Sequence, residues 1–85
     1  MNLVQLPSLE TELIKELTNL GFRVNVTTTP SRDIISLEDY PAIFFHYDYA
    51  TKEIELSVEE ENTSRPIIFS PDISRLVNSL QQLIL

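Results

Sequence analysis

Residues 42–59 read AIFFHYDYATKEIELSVE, and their pattern specifies the central strands of the protein. Apolar and polar residues alternate on both sides of the turn residues 49–52, which is typical of two antiparallel strands joined as a hairpin. We therefore predict strands over 42–48 and 53–59. One register places apolar residues opposite each other on a single face: Ile43 opposite Val58, Phe45 opposite Leu56, and Tyr47 opposite Ile54.

The same register predicts what lies on the second face of the hairpin. A shift by one residue would put apolar side chains opposite glutamates, so the pattern specifies the register strongly. Phe44 lies on the second face while its neighbour Phe45 lies on the first, and the strand is therefore apolar on both sides. The pairs on the second face are His46 opposite Glu55, Asp48 opposite Glu53, and Phe44 opposite Ser57.

Two predicted helices flank this hairpin. Residues 8–20 carry apolar residues at helical spacing, with Ser8 as the capping residue and Gly21, the only glycine of the chain, directly after the stripe. Near the C-terminus, Ser70 is the predicted cap and Pro71 occupies the first turn. The stripes are Leu9, Leu13, Leu17 and Leu20 in the first helix, and Ile73, Leu76, Val77, Leu80, Leu83 and Ile84 in the second.

The remaining segments complete an α+β fold. Residues 22–29 alternate as a half-buried strand, and Pro66 places the short strand 65–69 at a sheet edge. We predict a loop over 31–40, because its apolar residues are flanked by charges. Residues 1–85 thus form one acidic domain, a single antiparallel sheet of three or four strands with an N-terminal and a C-terminal helix packed on one face. The predicted core is Leu13, Leu17, Val24, Val26, Ile43, Phe45, Leu56, Val58, Leu76, Val77 and Leu80.

The net charge limits the classes of partner that this domain can bind. Thirteen acidic residues stand against six basic ones, for a formal net charge of −7. Phosphate backbones and anionic membranes repel such a surface, so we expect no direct nucleic-acid or membrane binding and a basic protein as partner. The start of the chain lacks a basic region followed by an apolar run, so we expect no signal peptide and a cytoplasmic location, in the host cytoplasm or the virion if the protein is viral.

Few residues of the chain are suited to catalysis. Without cysteine, and with a single histidine and a single glycine, disulfides, thiolate zinc sites and glycine-rich phosphate loops are excluded. His46 shares a face with Asp48, Glu53 and Glu55, a donor set that suits zinc or manganese. Such residues on an open hairpin face ordinarily contact water, so we predict no metal, no cofactor and no enzymatic activity.

The sequence favours a non-catalytic protein-interaction module, a homodimer or an accessory subunit of a larger assembly. Phe44 and the exposed edge of the sheet are the predicted docking points, unless a loop containing Ile34, Ile35 and Leu37 covers Phe44. The alternative is a phage-type acidic inhibitor that occupies the nucleic-acid-binding surface of its target, since alternate strand residues are spaced much like phosphates. The predicted interaction residues are Phe44, His46, Glu53, Glu55, Glu59, Glu60 and Glu61.

The order of elements resembles that of double-stranded RNA-binding domains, which also run helix, three strands, helix. Those domains carry a basic cluster at the start of the last helix. Residues 70–75 read SPDISR here, with a single basic residue, so the resemblance does not extend to RNA binding. Small phage tail-completion proteins and inhibitors of host defence are similar in size and architecture, without a shared motif.

Overall fold

A computed structural model describes residues 8–84. Each strand pairs antiparallel with its neighbours in sequence, so the sheet order is β1-β2-β3-β4-β5. The α+β class is confirmed, and the sheet has five strands instead of the predicted three or four. The elements are α1 (Leu9–Asn19), β1 (Val24–Thr28), β2 (Arg32–Leu37), β3 (Tyr40–Asp48), β4 (Ile54–Glu60), β5 (Thr63–Ser70) and α2 (Ile73–Ile84).

The additional strand is β2, and the prediction of a loop over 31–40 is wrong. β2 lies between β1 and β3 and pairs with both, so its backbone groups are satisfied on each side. Its side chains alternate: Ile35 and Leu37 are buried, at 0% and 2% exposure, while Ile34 lies on the other face. The adjacent isoleucines hide this alternation in the sequence. With five strands in its sheet, the fold also differs from that of double-stranded RNA-binding domains, which have three strands between their two helices.

The hairpin of β3 and β4 has the predicted register, with Phe45 opposite Leu56. Its turn is held by Asp48, whose Oδ1 accepts hydrogen bonds from the backbone amides of Ala50 and Thr51 at 2.8 and 3.0 Å. These bonds lower the pKa of Asp48. The remaining pairs are Ile43 with Val58, Phe44 with Ser57, His46 with Glu55, and Tyr47 with Ile54.

The core lies between the two helices and one face of the sheet. Val26, predicted in the core, is 45% exposed because β1 is an edge strand, and Val24 and Val58 are only half-buried. The sequence prediction missed Ile35, Leu37 and Ile54. The buried apolar residues are Leu13, Leu17, Ile35, Leu37, Ile43, Phe45, Ile54, Leu56, Leu76, Val77 and Leu80.

The two helix N-termini differ in how they are capped. Ser8 caps α1 as predicted, its Oγ accepting from the Thr11 amide at 3.1 Å. For α2 the predicted cap is wrong: Ser70 is the last residue of β5, and Asp72 caps the helix by accepting from the Ser74 amide at 2.9 Å. Ser70 instead accepts from the amide of Asp72 at 3.0 Å.

Gly21 ends α1 with a φ of 95°, a conformation that costs a residue with a Cβ atom. Nothing lies within 4 Å of where that Cβ would be, so the cost is backbone strain alone. We expect Gly21→Ala to lower the free energy of unfolding by about 1 kcal/mol, measured by urea denaturation. Asn19→Ala, at an exposed helical position, is the control and should change stability little; equal losses in the two variants would contradict this account.

Candidate functional site

The sheet has one face that neither helix covers within residues 8–84, here called the outer face. The helices pack against Ile35, Phe45 and Leu56, so residues of opposite parity on the same strands point away from them. Cross-strand pairing brings the outer-face residues of four strands together. Among them are Ile34 and Ser36 from β2, Phe44 and His46 from β3, Glu55, Ser57 and Glu59 from β4, and Phe69 from β5.

A depression of about 350 Å³ lies in this outer face. Ile34, Phe44 and His46 form its floor, and the β4–β5 hairpin forms one wall. The hairpin turns at Glu61 and Asn62, whose φ values of 43° and 70° are those of a tight two-residue turn. The residues that this hairpin contributes to the wall are Glu59, Asn62, Thr63 and Ser64.

Phe44 is half-buried in this depression and is not covered by the loop that the sequence suggested as one alternative. Ile34 lies beside it because β2 and β3 are paired, whereas Ile35 and Leu37 face the helices. The ring of His46 lies 6.3 Å from that of Phe44, centroid to centroid, with 35° between the planes. The floor of the depression is therefore an open aromatic and aliphatic surface.

Ser57 lies deepest on the outer face, 1% exposed, opposite Phe44. Its Oγ lies 3.1 Å from His46 Nε2. His46 Nδ1 is buried and has no hydrogen-bond partner among the residues described. An unpaired lone pair costs less than an unpaired buried N–H, so the neutral tautomer that donates from Nε2 to Ser57 satisfies this arrangement best.

A serine next to a histidine raises the question of nucleophilic catalysis. That chemistry needs a serine Oγ that a substrate can reach and a third group that orients the histidine. Ser57 is buried beneath the outer face, and no residue in the described chain accepts a hydrogen bond from His46 Nδ1. The pair is suited to fixing the His46 ring against β4.

Burial lowers the pKa of His46, the positive charge of Arg32 lowers it further, and Glu55 acts in the opposite direction. The unfolded chain therefore binds a proton at a higher pH than the folded one, and stability is lost as the pH falls below about 6.5 and through the lower folded pKa. We expect urea denaturation between about pH 8 and about pH 4.5 to show a larger loss on acidification for the wild type than for His46→Gln. Parallel pH curves for the two proteins would contradict a neutral buried His46.

The five acidic residues predicted to interact do not form one continuous array. Glu55 and Glu59 lie on the outer face with the buried Ser57 between them. Glu60 forms an ion pair with Arg65 at 3.1 Å. The others are Glu53, which precedes β4, and Glu61, which lies in the hairpin turn.

A second group of titratable side chains lies at the start of α1. The Tyr49 hydroxyl donates to Asp33 Oδ1, which raises the pKa of Tyr49 to about 12. Burial and the neighbouring Asp33 raise the pKa of Glu10 to about 7, while hydrogen bonds from Glu10 and Tyr49 lower that of Asp33. The carboxyl groups of Glu10 on α1 and Asp33 on β2 thus influence each other's ionisation across the two elements.

No three His, Asp or Glu side chains within residues 8–84 converge on a point where a metal ion would bind. His46 and Glu55 are opposite each other as predicted, but with Asp48 and Glu53 they do not enclose such a point. In the same part of the chain, no helix has the length and apolarity that crossing a bilayer requires.

Sequence reasoning placed Phe44, His46 and Glu55 on one face, and it brought Ile34 to Phe44 only as part of a covering loop. It missed the burial of Ser57 and the hairpin wall. The one available signal was the alternation within 32–37, which puts Ile34 beside Phe44 once that segment is read as a strand. Compared with known proteins, the chain matches no family model, no curated protein and no solved structure.

Proposed function

We propose that this protein is a non-catalytic protein-interaction module, a homodimer or an accessory subunit of a larger assembly, and that its outer face docks a basic partner protein. The observation that supports this most is the half-buried Phe44 at the floor of an open depression on the face that no helix of residues 8–84 covers. Apolar surface in a concave site is where interface energy concentrates.

The charges around the depression suit a basic partner. Glu59 lies in its wall and Glu55 lies opposite His46, within a chain of net charge −7. This negative electrostatic field raises the association rate with a positively charged surface, while the apolar floor of the depression slows dissociation of the complex. We place the module in the cytoplasm, because a chain without cysteine does not depend on an oxidising compartment for its stability.

The acidic inhibitor receives less support from the same surface. Mimicry of a phosphate backbone needs a regular series of free charges, but buried Ser57 interrupts the series between Glu55 and Glu59. Glu60 is already paired with Arg65. The acidic residues therefore suit the attraction of a partner better than the imitation of nucleic acid.

The test begins with a partner captured on this chain from its native cells, purified and titrated against variants. Phe44→Asp places a charge on the floor of the depression, and we expect it to weaken binding by about 2 kcal/mol or more, roughly 30-fold. Leu20→Asp, at a 44% exposed apolar position directly after α1, is the matched control and should bind as the wild type does. Circular dichroism checks that each variant is folded.

A combined Glu59→Gln, Glu60→Gln and Glu61→Gln variant separates the two functions. Docking at Phe44 predicts a loss of no more than about threefold, mostly in the association rate. If this variant loses binding while Phe44→Asp retains it, and binding falls steeply with salt, the inhibitor is correct. Unchanged binding in both variants rules out both sites.

A further inference from the structure

The two edges of the sheet differ in how they are protected against strand pairing. The β5 edge carries Arg65 and Pro66 and a register shift, the features by which proteins block pairing at an edge. β1 forms the other edge and reads VNVTT, with no charge and no proline, in an uninterrupted register with β2. Within residues 8–84, no strand lies beyond β1. β1 is thus an edge open to a further strand.

The hydrogen bonds at both ends of β1 show which backbone groups point outward. The Glu38 amide donates to the Arg23 carbonyl at 3.0 Å, and the Thr29 amide donates to the Arg32 carbonyl at 2.9 Å. In an antiparallel strand the amide and carbonyl of one residue point to the same side, and sides alternate along the chain. Odd-numbered residues therefore bond to β2. Those whose amide and carbonyl point away from the sheet are Val24, Val26 and Thr28.

We propose that β1 pairs with β1 of a second copy of this chain, antiparallel, about a two-fold axis at Val26. Val26 then lies opposite the same residue of the second copy, and Val24 lies opposite Thr28. All of these residues have outward-pointing amides and carbonyls, so each opposed pair exchanges two backbone hydrogen bonds. The result is one continuous sheet through both copies.

The chemistry of β1 fits its own copy better than another partner. Residues 24–29 themselves carry no charge, and the one acidic residue paired with them is Asp33 of β2, opposite Thr28, so this edge offers a basic protein few of the chain's acidic residues. Two copies of net charge −7 repel each other least where a neutral strip lies between them. Valine and threonine are favourable cross-strand neighbours, and Val26, 45% exposed, would be covered.

A single pair of five-residue strands is a small contact, so the dimer is weak and concentration-dependent. Sedimentation equilibrium between about 10 μM and about 1 mM should show the wild type passing from monomer to dimer. Val26→Pro removes an outward amide without removing a bond to β2, and should raise the dissociation constant at least about tenfold. Val26→Thr retains the amide and the branched side chain and should dimerise as the wild type does.

A second pair of variants keeps the test valid if the proline unfolds the strand. Val26→Lys and Val26→Glu each place like charges face to face across the axis, and each alone should be monomeric. Mixed in equal amounts, the two should form a heterodimer. Amides of Val24, Val26 and Thr28 should gain protection from hydrogen exchange as concentration rises, while those of Asn25 and Thr27 are protected throughout.

Three results would overturn this pairing. They are a wild type that remains monomeric throughout, a dimer unaffected by both Val26→Pro and Val26→Lys, and protection of the outward amides in the monomer, which means that another segment occupies the edge. The pairing is independent of the partner proposed for the outer face: Phe44→Asp should leave dimerisation unchanged, so either proposal can fail while the other stands.

Discussion

Phe45→Ala is expected to lower the free energy of unfolding by about 3–5 kcal/mol. Phe45 is 0% exposed and lies on the central strand β3, in the core that joins the sheet to both helices. Truncation removes its apolar contacts and leaves a cavity that the surrounding strands cannot close. Because small domains have a total stability of only about 5–15 kcal/mol, this variant should be close to unfolded at moderate temperature.

The matched control is Phe44→Ala, one residue away on the same strand. Phe44 is half-buried on the outer face, so we expect a loss of about 1 kcal/mol. Urea denaturation followed by far-UV circular dichroism measures both variants. Similar losses from the two would mean that β3 does not present one phenylalanine to the core and the other to the outer face.

Ile35→Ala should cost about 2–5 kcal/mol, because Ile35 is 0% exposed in β2 and lies opposite Phe45. Ile34→Ala, at its half-buried neighbour, should cost about 1 kcal/mol. The comparison tests the strand that the sequence analysis assigned to a loop. Thermal and urea unfolding of both variants provide the measurement, and small losses from each would show that residues 32–37 are not packed against the helices.

The β3–β4 hairpin could be predicted from the sequence, whereas β2 could not. Between Ile43 and Val58 the core-facing positions of both strands are all apolar, and a shifted register would bury glutamates, so one pairing is favoured locally despite the additional Phe44. In β2 the adjacent Ile34 and Ile35 are both apolar and charges flank them, so no single face stands out. That segment is a strand because it pairs with β1 on one side and β3 on the other. The pattern of residues within the segment carries no information about that pairing.

The outer face could also be predicted only in part from the sequence. Phe44 and His46 follow from the hairpin register, but the burial of Ser57 depends on packing by side chains such as His46, whose Nε2 lies 3.1 Å from its Oγ, and alternation does not reveal that packing. Val26 shows the converse: its alternation is that of a core residue, yet its strand lies at the edge of the sheet and leaves it exposed. Whether a strand lies at the edge or in the centre of the sheet depends on how all the strands pair, and not on the residues of that strand alone.

The order of strands in the sheet also has a consequence for synthesis. Because each strand pairs only with its sequence neighbours, the sheet can form hairpin by hairpin as the chain leaves the ribosome, with little loop entropy to overcome. α2 emerges after all five strands, and its Leu76 and Leu80 complete the core. Until α2 is present, α1 alone covers the apolar face of the sheet, and the core is incomplete.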